Sequence, residues 1–394
     1  MSDRKDNLFD ARSGLIFVIA FGIVSLFADM AYEGMRAISG PFLATLGASG
    51  FAVGVIGGVS GLAGYGLRLV SGRAADSTHL YWPMTLGGYV IQMAAVPALA
   101  LAGNWQIAAL LIVLERVGKA IRNPPRDVML SRAGEHIGQG WAFGLHEAMD
   151  QTGAMLGPLV MALVLALRHD YRQAFAWLAV PAAITLVLVW GVRFAYPGAG
   201  HIAGGESRQS ATTSRAFIAY AIAVALVAFG FADYSLIAFH FARSGAVSAD
   251  WIPIFYAVAM GTAGAASLVF GRWYDRRGLV VLLPATIVGV FVAPLAFFGG
   301  FWTALLGTAL WGVALGVQES VMSAAIADMV PVAGRARAYG LFTAIFGVAW
   351  FAGSSVLGYL YDISLFALAA LSVGVTLAAL IPLTLAIRVR REEV

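Results

Sequence analysis

The sequence GRAAD at residues 72–76 recurs as GRWYD at residues 271–275, which lie 199 positions further along the chain. The tripeptide Phe-Ala-Asp at residues 27–29 recurs in the same way at residues 231–233. Each match is short, but both offsets are close to half of the 394 residues. A shared offset of this size is typical of a chain that contains an internal repeat. The sequence therefore predicts two related halves.

Composition places both halves in a membrane. Hydrophobic residues make up 60% of the chain and charged residues 12%, and the mean hydropathy is +0.82. Soluble proteins carry about 25% charged residues, so an ordinary cytosolic enzyme is excluded. Twelve apolar runs are long enough to cross a bilayer as helices. We number them spans 1 to 12, with limits 13–42, 51–70, 83–102, 105–122, 141–165, 172–193, 215–242, 251–270, 279–299, 302–330, 336–360 and 363–386.

One long polar stretch interrupts this series between spans 6 and 7. It covers residues 194–214 and contains Gly, Ser, Thr, His and Glu residues, a composition typical of a flexible linker. The predicted fold is therefore an all-α membrane protein whose twelve transmembrane helices form two six-helix pseudo-symmetric halves. The N-terminal half covers residues 1–193, the cytoplasmic linker residues 194–214 and the C-terminal half residues 215–394.

The basic residues indicate the orientation. Of the 25 Lys and Arg residues, 19 fall on the side of the N-terminus and three, namely Arg168, Arg172 and Arg243, fall on the opposite side. Cytoplasmic loops carry the excess of Lys and Arg, so both termini are expected in the cytoplasm. Orientation explains the net charge of +4, and no nucleic-acid partner is expected. The lipid bilayer is the expected surrounding, and the chain is expected to act as a monomer.

The two repeated pentapeptides resemble the signature loops that follow helices 2 and 8 in the major facilitator superfamily. The second copy keeps the basic continuation Asp-Arg-Arg-Gly at residues 275–278, whereas the first continues as Asp-Ser-Thr-His. The resemblance covers nearly the whole chain and implies cytoplasmic gating loops. The residues that it assigns to these loops are Gly72, Arg73, Asp76, Gly271, Arg272 and Asp275.

Spans 4 and 5 extend the resemblance. Gly144, Gly153, Gly157 and Pro158 follow the spacing of the helix 5 motif of proton-linked antiporters. In span 4, residues 116–120 are similar to the family pattern Arg-x-x-Gln-Gly, and residues 118–127 are similar to a segment of a bacterial branch of the superfamily. The resemblance implies a multi-pass transporter of the bacterial cytoplasmic membrane that works by alternating access.

Charged residues inside the spans are the candidates for function, because charges are costly within a bilayer. They occur in spans 1, 4, 7 and 10, one from each group of three, and additionally in span 5. This recurrence predicts a central cavity lined by equivalent helices. The candidates for a substrate or proton site are Asp29, Glu33, Arg36, Glu115, Arg116, Asp233 and Glu319, and the candidates for a relay or gate are Glu147, Asp150, Arg122 and His240.

The spacing of these charges leaves alternatives open. Asp29, Glu33 and Arg36 share one helical face and are expected to line one aqueous path, although a Glu33–Arg36 pair that only fixes packing is the alternative. Asp150 or its neighbour Glu147 is expected to pair with an arginine of span 4 (Arg116 or Arg122), either in a moving gate or in a static network. A solvated role for His240 is favoured over an obligatory proton carrier.

Other chemistry is not expected. The chain has no cysteine, which removes disulfides and thiolate sites, and it has no nucleotide-binding loop of the Gly-x-x-x-x-Gly-Lys-Ser/Thr type. No metal site, cofactor or enzymatic activity is expected. We predict a secondary transporter of a small molecule, with proton-coupled antiport for export as the leading mode. Uptake of an anionic metabolite by proton symport or facilitation is the alternative, and a receptor that keeps the fold without transport is a remote one.

Overall fold

The computed structural model describes residues 9–135, 137–200, 214–329 and 335–393. All regular secondary structure in these ranges is helical, which confirms the all-α prediction. The helices up to residue 200 are α1 (Ala11–Thr45), α2 (Gly50–Thr78), α3 (Tyr81–Ala98), α4 (Trp105–Gly134), α5 (Gln139–Arg168), α6 (Tyr171–Trp177) and α7 (Ala179–Ala195). The later helices are α8 (Arg215–Gly230), α9 (Tyr234–Ser244), α10 (Trp251–Arg277), α11 (Leu282–Val290), α12 (Val292–Phe297), α13 (Phe301–Met329), α14 (Arg335–Ile363), α15 (Leu365–Ala378) and α16 (Leu380–Glu393).

The chain forms two compact units. The first contains residues 1–35 and 63–205, and the second contains residues 36–62 and 206–394. Helices α1 and α2 therefore each contribute residues to both units. Most of the predicted linker, residues 201–213, lies outside the described residues.

Ten stretches of the described residues are long and apolar enough to cross a membrane. The longest, Trp251–Phe297, holds two spans, because the 3-10 turn Gly278–Val281 separates α10 from α11 and α12. Helix α4 has the length of a span, but it is not among the ten and is less apolar because of its charged residues. Dividing that stretch gives eleven apolar spans among the described residues, and α4 lies at the position of the predicted span 4.

The repeated pentapeptides lie in helices and not in loops, which corrects the sequence prediction. Residues 72–76 are inside α2, and residues 271–275 are inside α10. Glycine is tolerated within a helix, so the glycines at the start of each segment do not end it. The helices end where the backbone turns left-handed, at His79 (φ 56°) and Gly278 (φ +59°). This correction does not bear on the predicted gating role. The residues predicted to have that role lie in the last turns of α2 and α10.

Span 4 is also longer than predicted, because α4 continues through two prolines to Gly134. Pro124 has no N–H group and leaves the carbonyl of Ala120 without its usual helical donor. The hydroxyl of Ser71 in α2 donates to that carbonyl at 2.7 Å. Arg122 therefore lies inside a helix, and its side chain is fully buried rather than placed in a loop.

The second unit contains a matching contact. The hydroxyl of Ser267 in α10 donates to the carbonyl of Gly316 in α13 at 2.8 Å. Ser267 and Gly316 each follow their counterparts, Ser71 and Ala120, by 196 positions. The two units thus repeat a helix-to-helix contact as well as short sequence patterns, as an internal duplication requires.

Span 7 is broken, whereas the sequence predicted one continuous helix. α8 ends at Gly230 and α9 begins at Tyr234, with extended backbone at Phe231 and Asp233. Two carbonyls at the break accept from side-chain donors, which offsets the cost of unpaired backbone in a membrane. Ser372 donates to the Gly230 carbonyl at 2.6 Å, and the indole of Trp311 donates to the Ala232 carbonyl at 2.9 Å.

Candidate functional site

Asp29 is the centre of a buried charge cluster in the first unit. Its Oδ1 lies 3.4 Å from the Nζ of Lys119 and 3.9 Å from Nη2 of Arg122, both in α4. Asp29 is buried and Arg122 has no exposed surface. A buried carboxylate with two cationic neighbours is an ion cluster whose charge balance changes when the carboxylate takes up a proton.

The glycines of α5 bring α1 close on both sides of this carboxylate. A Cβ atom on Gly153 would overlap the carbonyl oxygen of Leu26, and one on Gly157 would overlap that of Met30. Leu26 and Met30 flank Asp29 in α1. Small residues at such positions allow two helix backbones to approach closely. Two glycines of the helix 5 motif therefore set the position of the helix that carries Asp29.

The other two residues of the helix 5 motif do not take part in this close approach. A Cβ atom on Gly144 would meet no neighbouring atom within 4 Å. Pro158 lies inside α5, next to Gly157. The motif therefore contacts α1 through its two middle glycines.

Arg122 is held by α3. Its Nε donates to Oε1 of Gln92 at 2.6 Å, and its Nη1 donates to the hydroxyl of Tyr89 at 3.0 Å. The amide nitrogen of Gln92 donates in turn to Oε1 of Glu115 at 2.7 Å. Glu115 is fully buried, so this network is shielded from solvent.

Lys119 and one further cation, Arg116, lie over the ring of Tyr32 in α1. The guanidinium carbon of Arg116 is 4.7 Å from the ring centroid, and Nζ of Lys119 is 3.9 Å from it. Nε of Arg116 is also 3.9 Å from Oε2 of Glu115. Cation–π contacts of this kind hold positive charge where water is scarce.

The acidic residues of α5 have different partners from those expected. Nδ1 of His146 lies 3.6 Å from Oδ2 of Asp150, and its Nε2 is hydrogen-bonded to the Ser25 hydroxyl at 2.8 Å. Arg126 donates to the same hydroxyl at 3.3 Å. Glu147 is exposed and accepts a hydrogen bond from Gln151 at 2.9 Å.

A second charged pair lies in the second unit at the break in span 7. Nη2 of Arg36 is 3.6 Å from Oδ2 of Asp233, and Oδ1 of Asp233 accepts from the backbone N–H of Ser235 at 2.8 Å at the start of α9. The Arg36 guanidinium also lies 5.9 Å from the ring centroid of Tyr256 and 5.8 Å from that of Trp311. Two aromatic rings thus lie beside the guanidinium of Arg36.

An apolar cavity adjoins this aromatic group. Its empty volume of about 600 Å³ includes space open to its surroundings, and it is lined mainly by apolar residues of α8, α11 and α13, with Gln318 as one of its few polar side chains. Phe231 lines the cavity and packs on Trp311 and Trp350, with ring centroids 5.5 and 5.7 Å apart. Apolar walls with a few polar groups suit an amphipathic small molecule.

Asp29 and Arg36 of span 1 have ion-pair partners in different units. Asp29 belongs to the first unit and has partners in α4, whereas Arg36 belongs to the second unit and pairs with Asp233. Glu33 lies between them in the chain and is buried. The three residues share one face of the helix, but the partners of Asp29 and Arg36 come from separate units.

One further sequence prediction can be compared with the structure. The expectation that His240 is solvated is wrong, because the residue is 6% exposed and its Nδ1 is 3.2 Å from the Tyr361 hydroxyl. The side chain of Glu319 lies outside the described residues. No group of three or more His, Asp or Glu residues that could hold a metal ion occurs in the part of the chain that the structure describes.

Sequence reasoning missed two members of the Asp29 cluster. Lys119 is one of many basic residues in the sequence, but Glu115, Lys119 and Arg122 follow one another at i, i+4 and i+7 on one helical face, which is a usable signal. Gln92 carries a weaker signal, as a single amide in an otherwise apolar span.

No protein-family model matches the chain. Uncharacterized proteins of Mycobacterium tuberculosis and Mycobacterium bovis are 39% identical to it over 389 residues, which cover 97% of this chain and 95% of each relative. An uncharacterized MFS-type transporter of Methanocaldococcus jannaschii is 26% identical over 358 residues, covering 88% of this chain and 89% of the relative.

Solved structures share the fold. The nucleoside transporter NupG aligns with a TM-score of 0.79 at 14% identity, covering 93% of this chain and 99% of NupG. The peptide transporter POT aligns with a TM-score of 0.76 at 16% identity, covering 97% of this chain and 99% of POT. At these identities the likeness shows the fold alone.

Proposed function

Because this chain belongs to the major facilitator superfamily, we propose that it exports a small amphipathic compound in exchange for protons, by alternating access. We further propose that Asp29 is the group that carries the proton. Both termini would lie in the cytoplasm of a bacterium, and the chain would act as a monomer in the cytoplasmic membrane.

The observation that carries this proposal is the seam between α1 and α5. Gly153 and Gly157, whose spacing resembles the motif of proton-linked antiporters, contact α1 on either side of Asp29. A motif that resembles those of antiporters thus packs against the helix turn that holds a buried carboxylate. This juxtaposition favours antiport over other modes of coupling.

The chemistry of the Asp29 cluster supplies a mechanism. When Asp29 is ionised, it holds Lys119 at 3.4 Å, and a substrate with a positive or hydrogen-bond-donating group competes for the carboxylate. When Asp29 is protonated, it attracts neither the cations nor such a substrate. Proton and substrate therefore bind in alternation, which is the condition for exchange.

A second candidate is proton-linked uptake of an anionic metabolite. The pair formed by Arg36 and Asp233 favours it, because protonation of Asp233 would remove one negative charge beside a guanidinium that is flanked by the rings of Tyr256 and Trp311. An anion with an apolar body suits that environment and the adjoining cavity. In this case proton and substrate bind together and move in the same direction.

Purified protein in liposomes loaded with a pH-sensitive dye distinguishes the two candidates. Gradients of tetraphenylphosphonium, a lipophilic cation, and of benzoate, an aromatic anion, serve as probes. Export by antiport predicts proton movement opposite to the cation. Proton movement in the same direction as benzoate supports the second candidate where it exceeds that of protein-free liposomes, across which benzoic acid itself carries a proton. Protein-dependent ligand flux without proton movement contradicts both.

A further inference from the structure

We propose that Gln92, oriented by Glu115, is a positioning residue that aims Arg122 at Asp29. The proposal rests on the role of Asp29 proposed above and adds α3, which carries no charged residue in the cluster, to the coupling machinery. Gln92, Glu115 and Arg122 are all fully buried. Their hydrogen bonds form one unbranched chain from α4 to α3 and back to α4.

The donors and acceptors permit only one orientation of the Gln92 amide. An ionised carboxylate only accepts hydrogen bonds and a guanidinium only donates them, whereas an amide has one accepting and one donating side. The donating side therefore faces Glu115 at 2.7 Å, and the accepting side faces Nε of Arg122 at 2.6 Å. Without an acceptor at residue 115, the amide is held only at its oxygen, by Nε of Arg122, and its donating side loses its fixed direction.

Two of the three nitrogens of Arg122 are thereby held. Nε is bound to Gln92 and Nη1 to Tyr89, whose ring also lies 4.3 Å from the guanidinium carbon. A planar guanidinium held at two nitrogens has a fixed direction for the third. That third nitrogen, Nη2, has no hydrogen-bond partner among the described residues and lies 3.9 Å from Asp29.

The backbones of α3 and α4 keep this geometry at close range. A Cβ atom on Gly118 would come within 2.6 Å of the backbone nitrogen of Gln92, and one on Gly88 would come within 2.8 Å of that of Arg122. The seam thus leaves no room for side chains that would separate Gln92 from Arg122. Short hydrogen bonds inside a dry, close-packed seam orient charged groups more strictly than exposed ones do.

Charged and titratable groups from every neighbouring helix act on the same site. The groups that face Arg122 and Asp29 are Glu115, Arg116, Lys119 and Arg126 in α4, Tyr89 in α3, and His146 and Asp150 in α5. The effect of Gln92 is separable from theirs because Gln92 carries no charge. Its replacement changes the direction of Arg122 and leaves the number of charges unchanged.

Infrared difference spectroscopy of the purified full-length protein tests the proposal without a ligand. The carboxyl band that is absent from Asp29→Asn is followed through a pH titration in each variant. The methionine side chain in Gln92→Met has a volume similar to that of glutamine but can form neither hydrogen bond. The Arg122 guanidinium is then no longer held toward Asp29, so Asp29 binds its proton more readily. We expect the midpoint of the Asp29 band to move upward by about one pH unit in this variant.

Glu115 provides the matched pair of variants. Glu115→Gln keeps a carbonyl acceptor for the Gln92 amide, and Glu115→Met does not. The upward shift is expected with Met and is expected to be absent or much smaller with Gln. If Gln92→Met cannot be recovered in folded form, as judged by its thermal unfolding, this pair alone decides the question.

The outcomes separate this inference from the proposed function. An unchanged Asp29 midpoint in Gln92→Met and Glu115→Met overturns the positioning role and leaves the role of Asp29 intact. Equal shifts in both Glu115 variants also overturn it, because they trace the effect to charge. If no titrating band disappears in Asp29→Asn, the proposed proton site itself is wrong.

Discussion

Asp362, near the end of α14, accepts the backbone N–H of Gly50 at the start of α2 through its Oδ1, at 2.8 Å. Its Oδ2 accepts the next N–H, that of Phe51, also at 2.8 Å. One carboxylate therefore satisfies two of the free donors of a helix N-terminus, 312 residues away in the chain. Both residues belong to the second unit, which contains residues 36–62.

Replacing this carboxylate is expected to weaken the second unit. Asp362→Asn loses the charge and keeps only one accepting oxygen, which is expected to destabilise the fold by about 1 kcal/mol. Thermal unfolding in detergent measures the change. Asp250→Asn is the matched control, because Asp250 stands at the start of α10 without a side-chain capping bond. An equal loss in both variants would contradict the capping role of Asp362.

The seam between α1 and α5 makes a second prediction. Gly153→Ala places a methyl group against the Leu26 carbonyl and forces α1 away from α5, so we expect at least a tenfold loss of transport. Gly144→Ala belongs to the same motif but meets no atom within 4 Å, and it is expected to keep normal transport. Flux of the probe ligand in liposomes measures both. Equal activity of the two variants would show that the seam does not position Asp29.

The broken span makes a third prediction. Trp311→Phe keeps most of the ring packing but leaves the Ala232 carbonyl without its donor, and an unsatisfied buried carbonyl costs about 1–3 kcal/mol. Trp302→Phe, in the same helix, alters a side chain that is 76% exposed. Unfolding temperatures are expected to fall for Trp311→Phe only. A normal unfolding temperature for Trp311→Phe would mean that this hydrogen bond does not stabilise the break.

The proline in α4 allows a fourth prediction by a double-mutant cycle. Ser71→Ala removes the donor to the Ala120 carbonyl and is expected to destabilise the protein by about 1 kcal/mol. Pro124→Ala restores a helical N–H for the same carbonyl, so Ser71→Ala should cost less in that background. Ser267→Ala is the control in the second unit, since the Gly316 carbonyl also accepts from the Ser320 hydroxyl. Additive effects of the first two substitutions would contradict the explanation.

The number of spans and the all-α fold could be predicted because they depend on apolar length, which the sequence displays directly. The ends of the helices and the break in span 7 could not be predicted from the sequence. Span 7 is apolar across its break, and only donors from distant residues, such as Trp311 and Ser372, make the extended backbone tolerable. Span 4 was predicted to end at residue 122, but a hydroxyl from α2 allows the helix to continue through Pro124.

The candidate site was predictable in its residue types and not in its partners. The cost of charge in a bilayer identified Asp29, Glu115 and Asp233 from sequence. Their partners depend on packing between helices: Lys119 and Gln92 entered the Asp29 network only through the structure. Arg36 pairs with Asp233 in the second unit, whereas Asp29 belongs to the first unit. The spacing of charges along one helix cannot reveal this division.

The central claim is that Asp29 carries the coupled proton, and the most direct measurement compares Asp29→Asn with Glu147→Gln in dye-loaded liposomes. Glu147 is an exposed carboxylate of α5 and controls for the loss of an acidic group. The account predicts that Asp29→Asn, which mimics the protonated carboxyl group, loses ligand-driven proton movement and exchanges labelled for unlabelled tetraphenylphosphonium more slowly than the wild type, whereas Glu147→Gln keeps both activities. Wild-type proton movement in folded Asp29→Asn would contradict the account.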